Sequence, residues 1–397
     1  MPEGEEAAAM DEATGSPETL GPCKHAPEPA TGSVPRDGPG VELPPLVDQH
    51  GHGIVHGELG LGSFETHLAT AAGSGPAPAG TTYFDSWTGL AVRRWCPPLL
   101  GMEPHCTPVR YLARRRELGA YRAARLLLRG AGIGTFLLES GTPSDLTSPA
   151  ELAAAAEGRV HEVVRLEPLA EQVADTSGTV DAFMGNTAEA LYAAAQHATA
   201  FALGITFCDE TPPDPREVRR AAARRLSARP VRNRAPDPVL AQHLMWSAVA
   251  TGLPVQLHCA DPQPLIGFLR ATAGFGTDLV LLPDRPHHRR AAQLAAVFPH
   301  VYADAGPRPA ETLGEAPFGK LLFSTGARAL PELYVTAARL FGQAMDRLAA
   351  EWVADGICTR AEARRIAGLV AAGTARRVYR LDAAGSGSGS VSAGVSG

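Results

Sequence analysis

The fold of this chain is constrained most by an alternation that runs through nearly all of it: short apolar runs of strand length, separated by longer stretches whose apolar residues recur at helical spacing. The runs fall at residues 46–47, 134–139, 160–166, 202–208, 254–258, 278–282, 300–303 and 320–324. Helical spacing is clearest at 108–130, 180–200 and 238–251, and again beyond the last run at 331–350, 359–372 and 375–381. A strand followed by a helix and then by another strand pairs with it in parallel, since the chain must return to the starting end of the sheet before continuing. Eight such units close on themselves. The sequence therefore predicts an α/β protein, a (β/α)8 TIM-like barrel, whose reactive groups belong at the carboxyl ends of the strands.

A chain of 397 residues suits one such barrel with insertions and tails. Residues 1–42 mix Glu, Ala, Gly, Pro and Ser with few large apolar side chains and cannot bury enough surface to offset their ordering entropy, so a disordered segment is expected there. The Gly/Ser-rich residues 383–397 are expected to form a flexible tail, which leaves 43–382 for the barrel. A net charge of −6, with acidic and basic residues intermixed, gives no electrostatic case for nucleic acid or an anionic membrane as partner. The Arg-rich stretch 216–234 is a local exception and reads as a solvated face in a high-GC bacterial protein. No run reaches the about 18 apolar residues of a membrane span, and the first residues lack a secretory pattern. Six cysteines are scattered without C-x-x-C spacing, so a cytoplasmic protein with free thiols is expected. The oligomeric state is left open, a homo-oligomer included.

The first run leads into Leu46-Val47-Asp48-Gln49-His50-Gly51-His52-Gly53. Residues i and i+2 of a strand share a face, so His50 and His52 can converge on one metal ion, and His258 ends the fifth run at the same mouth. Three imidazoles meet the ligand count of a catalytic divalent ion, zinc or manganese, with a position left for water. Cys208 ends the fourth run, and its thiolate would complete a set of three histidines and one cysteine unless it is a small buried filler. Asp284, with His287 and His288 in the same loop, offers a ligand or general base, or else caps the next helix. Asp304 ends the seventh run and either orients substrate or caps a turn. Arg165 and Glu167, at the end of the third run, read as substrate contacts or as a structural ion pair. Glu139 ends the second run, an acidic group near the expected metal or an ordinary half-exposed strand end. Tyr83, Phe84, Trp87 and Trp95 form an aromatic group between the first and second runs, a core patch or a lid from which Trp87 would face a small-molecule substrate.

With these residues in view, the chain resembles the amidohydrolase superfamily, and more narrowly the amidohydrolase-related family that also occurs as a domain fused to glutamine synthetase in nodulin-like proteins. The resemblance is carried by the segment just quoted and by Ala91-Val92-Arg93-Arg94-Trp95-Cys96, Val160-His161-Glu162-Val163-Val164-Arg165-Leu166-Glu167, Pro254-Val255-Gln256-Leu257-His258-Cys259, Pro299-His300-Val301-Tyr302-Ala303-Asp304 and Leu321-Leu322-Phe323-Ser324-Thr325, in that order. It implies a divalent ion at the barrel mouth, held by the first-strand His pair, a fifth-strand His, often a sixth-strand His, and an eighth-strand Asp that also accepts a proton from the activated water. Members with two metals add a carbamylated Lys from the fourth strand. His50, His52 and His258 match; Pro283 stands where the sixth-strand His would be, Gly326 where the Asp would be, and Thr206 or Cys208 where the Lys would be.

Two functions from different classes are compatible with this pattern. One is a metal-dependent hydrolase acting on a C–N bond of a small molecule. The other is a degenerate barrel that binds a small molecule or a protein without catalysis. A decarboxylase or other lyase on the same scaffold is a variant of the first.

Overall fold

A computed structural model describes residues 40–73, 75–140, 145–227 and 237–382. The expected disordered segment, save residues 40–42, and the expected Gly/Ser tail from 383 lie outside the described residues. Eight strands form one sheet in chain order. They are β1 (Leu46–Gly51), β2 (Ile133–Ser140), β3 (Arg159–Arg165), β4 (Ala200–Gly204), β5 (Val255–Cys259), β6 (Leu279–Pro283), β7 (Val301–Asp304) and β8 (Leu321–Leu322). All neighbours pair in parallel. The ring closes where Gln49 N donates to Phe323 O at 3.1 Å and Gly326 N to His50 O at 3.0 Å.

The near-continuous apolar runs follow from burial on both faces of a parallel sheet. In β6, Val280 faces the barrel interior while Leu279 and Leu281 join the outer core under the helices. β2 divides the same way, with Leu137 inside and Phe136 and Leu138 outside. The interior cluster of Val47, Leu137, Val163, Ala202, Val280, Tyr302 and Leu322 is completed by Ala375, Val378, Tyr379 and Leu381. The last described segment is thus the floor of the barrel, and Val370 O accepts from Phe323 N at 3.1 Å to hold it there.

Three details depart from the sequence reading. The fourth strand ends at Gly204, four residues short of Cys208, and the eighth is a two-residue strand rather than a run to 324. The helical pattern at 108–130 is two helices, because Gly119 between them adopts φ +79°, a conformation that Gly reaches without strain. These are the last two of four helices in the insertion between β1 and β2: α1 (Leu61–Ala71), α2 (Trp87–Leu99), α3 (Pro108–Leu118) and α4 (Ala120–Gly130). The Ser86 hydroxyl caps α2 by accepting from Gly89 N, and Thr107 caps α3 by accepting from Arg110 N. Phe64 of α1 stacks on Phe84 at 5.4 Å, so that part of the aromatic group is core. The insertion is tied to the barrel by a buried ion pair, Arg115 Nε to Glu332 Oε1 at 2.9 Å, and by Tyr111 OH donating to the same oxygen at 2.7 Å. Glu332 lies in the first turn of the helix Pro331–Ala354, which follows β8. Among the described residues, no helix is long and apolar enough to cross a membrane.

Candidate metal centre

At the carboxyl end of β1 a strict period of two breaks down. Val47 and Asp48 face Thr135 and Phe136 of β2, and Gly51 faces Leu138, so three steps along β1 match two along β2. The extra residue is a β-bulge, which re-aims the side chains beside it. Gln49 turns into the barrel, where it accepts from Tyr379 OH (2.8 Å), donates to Asp304 Oδ1 (3.2 Å), and offers its carbonyl to Gln256 Nε2 (2.7 Å). His50, the next residue, also turns inward, its ring 4.8 Å from that of His258 on β5. The His52 ring lies 5.0 Å from that of His50.

The three-atom group at the mouth is His50, Glu139 and His258, one ligand atom from each lying within 4.8 Å of the other two. Glu139 is 3% exposed, so the strand end that the sequence left half-exposed is buried. Its Oε2 stands 2.8 Å from His258 Nε2. The two atoms attract but are not aligned for a hydrogen bond, and both are buried without a hydrogen-bond partner, as are His50 Nδ1 and His52 Nδ1. Buried polar atoms without partners cost about 1–3 kcal/mol each. His50, Glu139 and His258 converge and fit a cation bound between them, with His52 outside that group, and a set of imidazoles plus one carboxylate suits zinc or manganese.

The electrostatics agree with that reading. Burial, with the charges of His258 and His52, depresses His50 well below the ordinary imidazole value. Burial lowers His52 to about 4 against the pull of Glu139, with Arg328, His258 and Arg165 adding to the effect. Both imidazoles are therefore neutral at pH 7, which leaves His50 a lone pair for a metal. Burial pushes the Glu139 carboxyl up, but the contact with His258 and the nearby His50 and His52 outweigh it and hold the group below the usual carboxylate range.

Arg165 and Glu167 form an ion pair beside Glu139. The Arg165 guanidinium donates to Glu139 Oε1 at 2.7 Å and to both Glu167 oxygens at 3.2 Å, while Glu167 Oε1 also accepts from Gly204 N at 2.7 Å. The guanidinium thus fixes which way the Glu139 carboxylate faces. Arg165→Met is expected to weaken divalent-ion affinity by roughly 10- to 100-fold, the usual effect of losing a ligand's orienting partner. Competition with a chelator reads this, and circular dichroism checks that the fold persists.

Asp48 was not singled out by sequence, although it is the lone acidic residue in the first run. Fully buried, it accepts from Thr325 N (2.8 Å) and Thr325 Oγ1 (2.6 Å) and so fastens the end of β8 to β1. Desolvation raises its carboxyl to about 7, against the lowering effect of the Thr325 and His50 hydrogen bonds. A carboxyl raised in the folded state from the unfolded value near 3.8 disfavours folding increasingly as pH rises from about 4 to 7, and by a constant amount above. Asp48→Asn should therefore gain stability over the parent across that window, on the order of a few kcal/mol at pH 8 and nearly nothing at pH 3.5. Urea unfolding at the two pH values measures it, and a pH-independent difference would refute the assignment.

The remaining sequence candidates lie elsewhere. Cys208 sits in the loop after β4 beside Trp246, outside the converging group, and burial first, then Asp209, pushes its thiol up to about 12. A thiol that stays protonated is a poor metal ligand. Asp284 is exposed in the loop after β6, and the N-cap position of the following helix falls at His287, whose side chain makes no capping hydrogen bond. Asp304 is buried below the histidines, held by Gln49 and Ser324, with its carboxyl raised chiefly by burial. Trp87 opens α2 and is 81% exposed, with no contact tying it to the site among the described residues.

No protein-family model matches the chain. Protein fluG of Emericella nidulans is 32% identical over 118 residues, covering 26% of this chain and 14% of its own, so this chain spans a small part of that relative's length. Among solved structures, a protein from Lactobacillus casei taken to be a metal-dependent hydrolase superposes with a TM-score of 0.71 at 20% identity, over 86% of this chain and 97% of that one. Uronate isomerase from Thermotoga maritima and glucuronate isomerase from Caulobacter crescentus each superpose with a TM-score of 0.57, at 15% and 14% identity, over 84% and 86% of this chain and 94% and 92% of theirs. At these identities the likeness is one of architecture, and the chain has the (β/α)8 barrel fold that its alternating runs predict.

Proposed function

We propose that the protein is a metal-dependent hydrolase of the amidohydrolase type, acting on a C–N bond of a small molecule. The observation that carries the reading is the set of buried, partnerless ligand atoms of His50, Glu139 and His258, with His52 beside them, at the carboxyl end of the strands. A divalent ion held there supplies a Lewis acid that activates water and polarises a carbonyl. Glu139, from β2, provides the carboxylate that the family resemblance would place at position 326, where Gly326 has no side chain. Arg165 keeps that carboxylate oriented. His52, outside the converging group with its ring 5.0 Å from that of His50, would serve as the proton acceptor. Because burial lowers His52 to about 4, it is a weak base, and slow turnover follows.

The test is the metal content of protein purified without chelator, beside a His50→Ala/His258→Ala variant. About one zinc or manganese per chain, lost in the variant, is expected, followed by slow hydrolysis of a small amide by the loaded protein. Absence of metal from both proteins, with equal thermal stability, would overturn the proposal and leave a non-catalytic barrel in its place.

A further inference from the structure

We infer that Arg328 anchors a carboxylate on the substrate, so that the site takes amides bearing an acidic group; this rests on the hydrolase reading above. Arg328 lies in the segment that leaves β8 alongside β1. Gly326 N donates to His50 O (3.0 Å), His52 N to Ala327 O (2.8 Å), Ala329 N to Gly53 O (3.0 Å) and Val55 N to Ala329 O (2.9 Å). Residue 328 is therefore pinned on both sides against the stretch that carries the histidines. Ala327 and Ala329 are buried, whereas Arg328 between them is half-buried. Its guanidinium forms no ion pair or hydrogen bond among the described residues, in a chain where Arg115 and Arg165 are both held by carboxylates.

A half-buried guanidinium gives up water without gaining a partner, which is unfavourable unless something else supplies the acceptor. With its backbone pinned beside His52, Arg328 stands near the candidate metal centre, and its charge also acts on His67 of α1 in the insertion. Asp145, the acidic group near His67, is exposed and does not pair with Arg328. Near the centre, the charge of Arg165 is already met by Glu139 and Glu167. One unmatched positive charge with a planar fork of donors matches one carboxylate, which it can hold through two parallel hydrogen bonds. A phosphate dianion would call for more positive charge than this wall carries.

The experiment compares two hydroxamates on zinc-loaded protein, succinic acid monohydroxamate and butyrohydroxamate, which share the metal-binding end and differ in the carboxylate. In the parent, the acidic probe is expected to bind roughly 10- to 100-fold more tightly, the strength of a charge-assisted pair. Arg328→Gln should bring the ratio close to one while leaving zinc content and butyrohydroxamate affinity unchanged, and Arg328→Lys should restore part of it. Equal binding of the two probes by the parent, or a preference that survives Arg328→Gln, would overturn the inference. In metal-free protein the same three proteins are titrated with acetate and with inorganic phosphate. Arg328-dependent acetate binding supports the anchor even if no metal is held and the hydrolase reading fails, whereas tighter phosphate binding would overturn the carboxylate assignment.

Discussion

Glu139→Gln is expected to weaken binding of a divalent ion by about 100-fold or more. Binding of a structural zinc in small domains is worth roughly 10–16 kcal/mol over four ligands, or about 3 kcal/mol each, and a carboxamide oxygen replaces little of what a carboxylate gives. The melting temperature of the variant should therefore respond far less to added zinc than that of the parent. Chelator competition and paired melting curves with and without zinc measure both effects. Unchanged zinc affinity would remove Glu139 from the ligand set.

Glu332→Leu is expected to destabilise the chain by about 3–5 kcal/mol, the range for breaking one half of a buried ion pair. The side chains of Arg115 and Glu332 are 8% and 0% exposed, and the Tyr111 hydroxyl donates to the same carboxylate. With a Leu at 332, a guanidinium and a phenol are left buried without an acceptor. Changing the partner as well, in Arg115→Met/Glu332→Leu, should recover most of the loss, because a buried pair replaced by apolar groups is close to neutral. Urea unfolding of the two variants separates this from a simple packing defect, since a packing defect would be additive. The pair joins α3 of the insertion to the helix after β8, so the single variant should also loosen the wall that carries His67.

The barrel was legible because most of its strands are buried on both faces, which writes an apolar run into the sequence whatever the side chains inside it do. His50 and His258 were legible for a related reason, as polar residues at the ends of such runs. Glu139 was visible as an acidic strand end, but its burial was not, since burial depends on β2 lying next to β1 and on Arg165 reaching across from β3. Cys208 was misplaced by the length of a strand, because Ile205 continues the apolar pattern after the ladder has stopped at Gly204. The β1 bulge left no sequence mark at all. It turns both Gln49 and His50 inward, where an alternating pattern would choose one. Asp48 was passed over for the same reason, as its partner Thr325 is 277 residues away and only the closed ring brings them together.

The barrel floor has a bearing on how the protein is made. Tyr379 OH reaches Gln49 over a sequence separation of 330 residues, and Gln256 Nε2 donates to the same hydroxyl. A ribosome adding about 5–20 residues per second needs roughly 15–70 s to cover that distance. Throughout that interval the first strand has emerged, with its inward amides and its edge unmatched, while the residues that satisfy them have yet to be synthesised. Vectorial folding from the first residue onward is therefore closed to this chain. A message cut short before β8 would yield an open, sticky sheet, and one cut between β8 and Tyr379 a barrel without its floor, for the cell's chaperones and proteases to deal with.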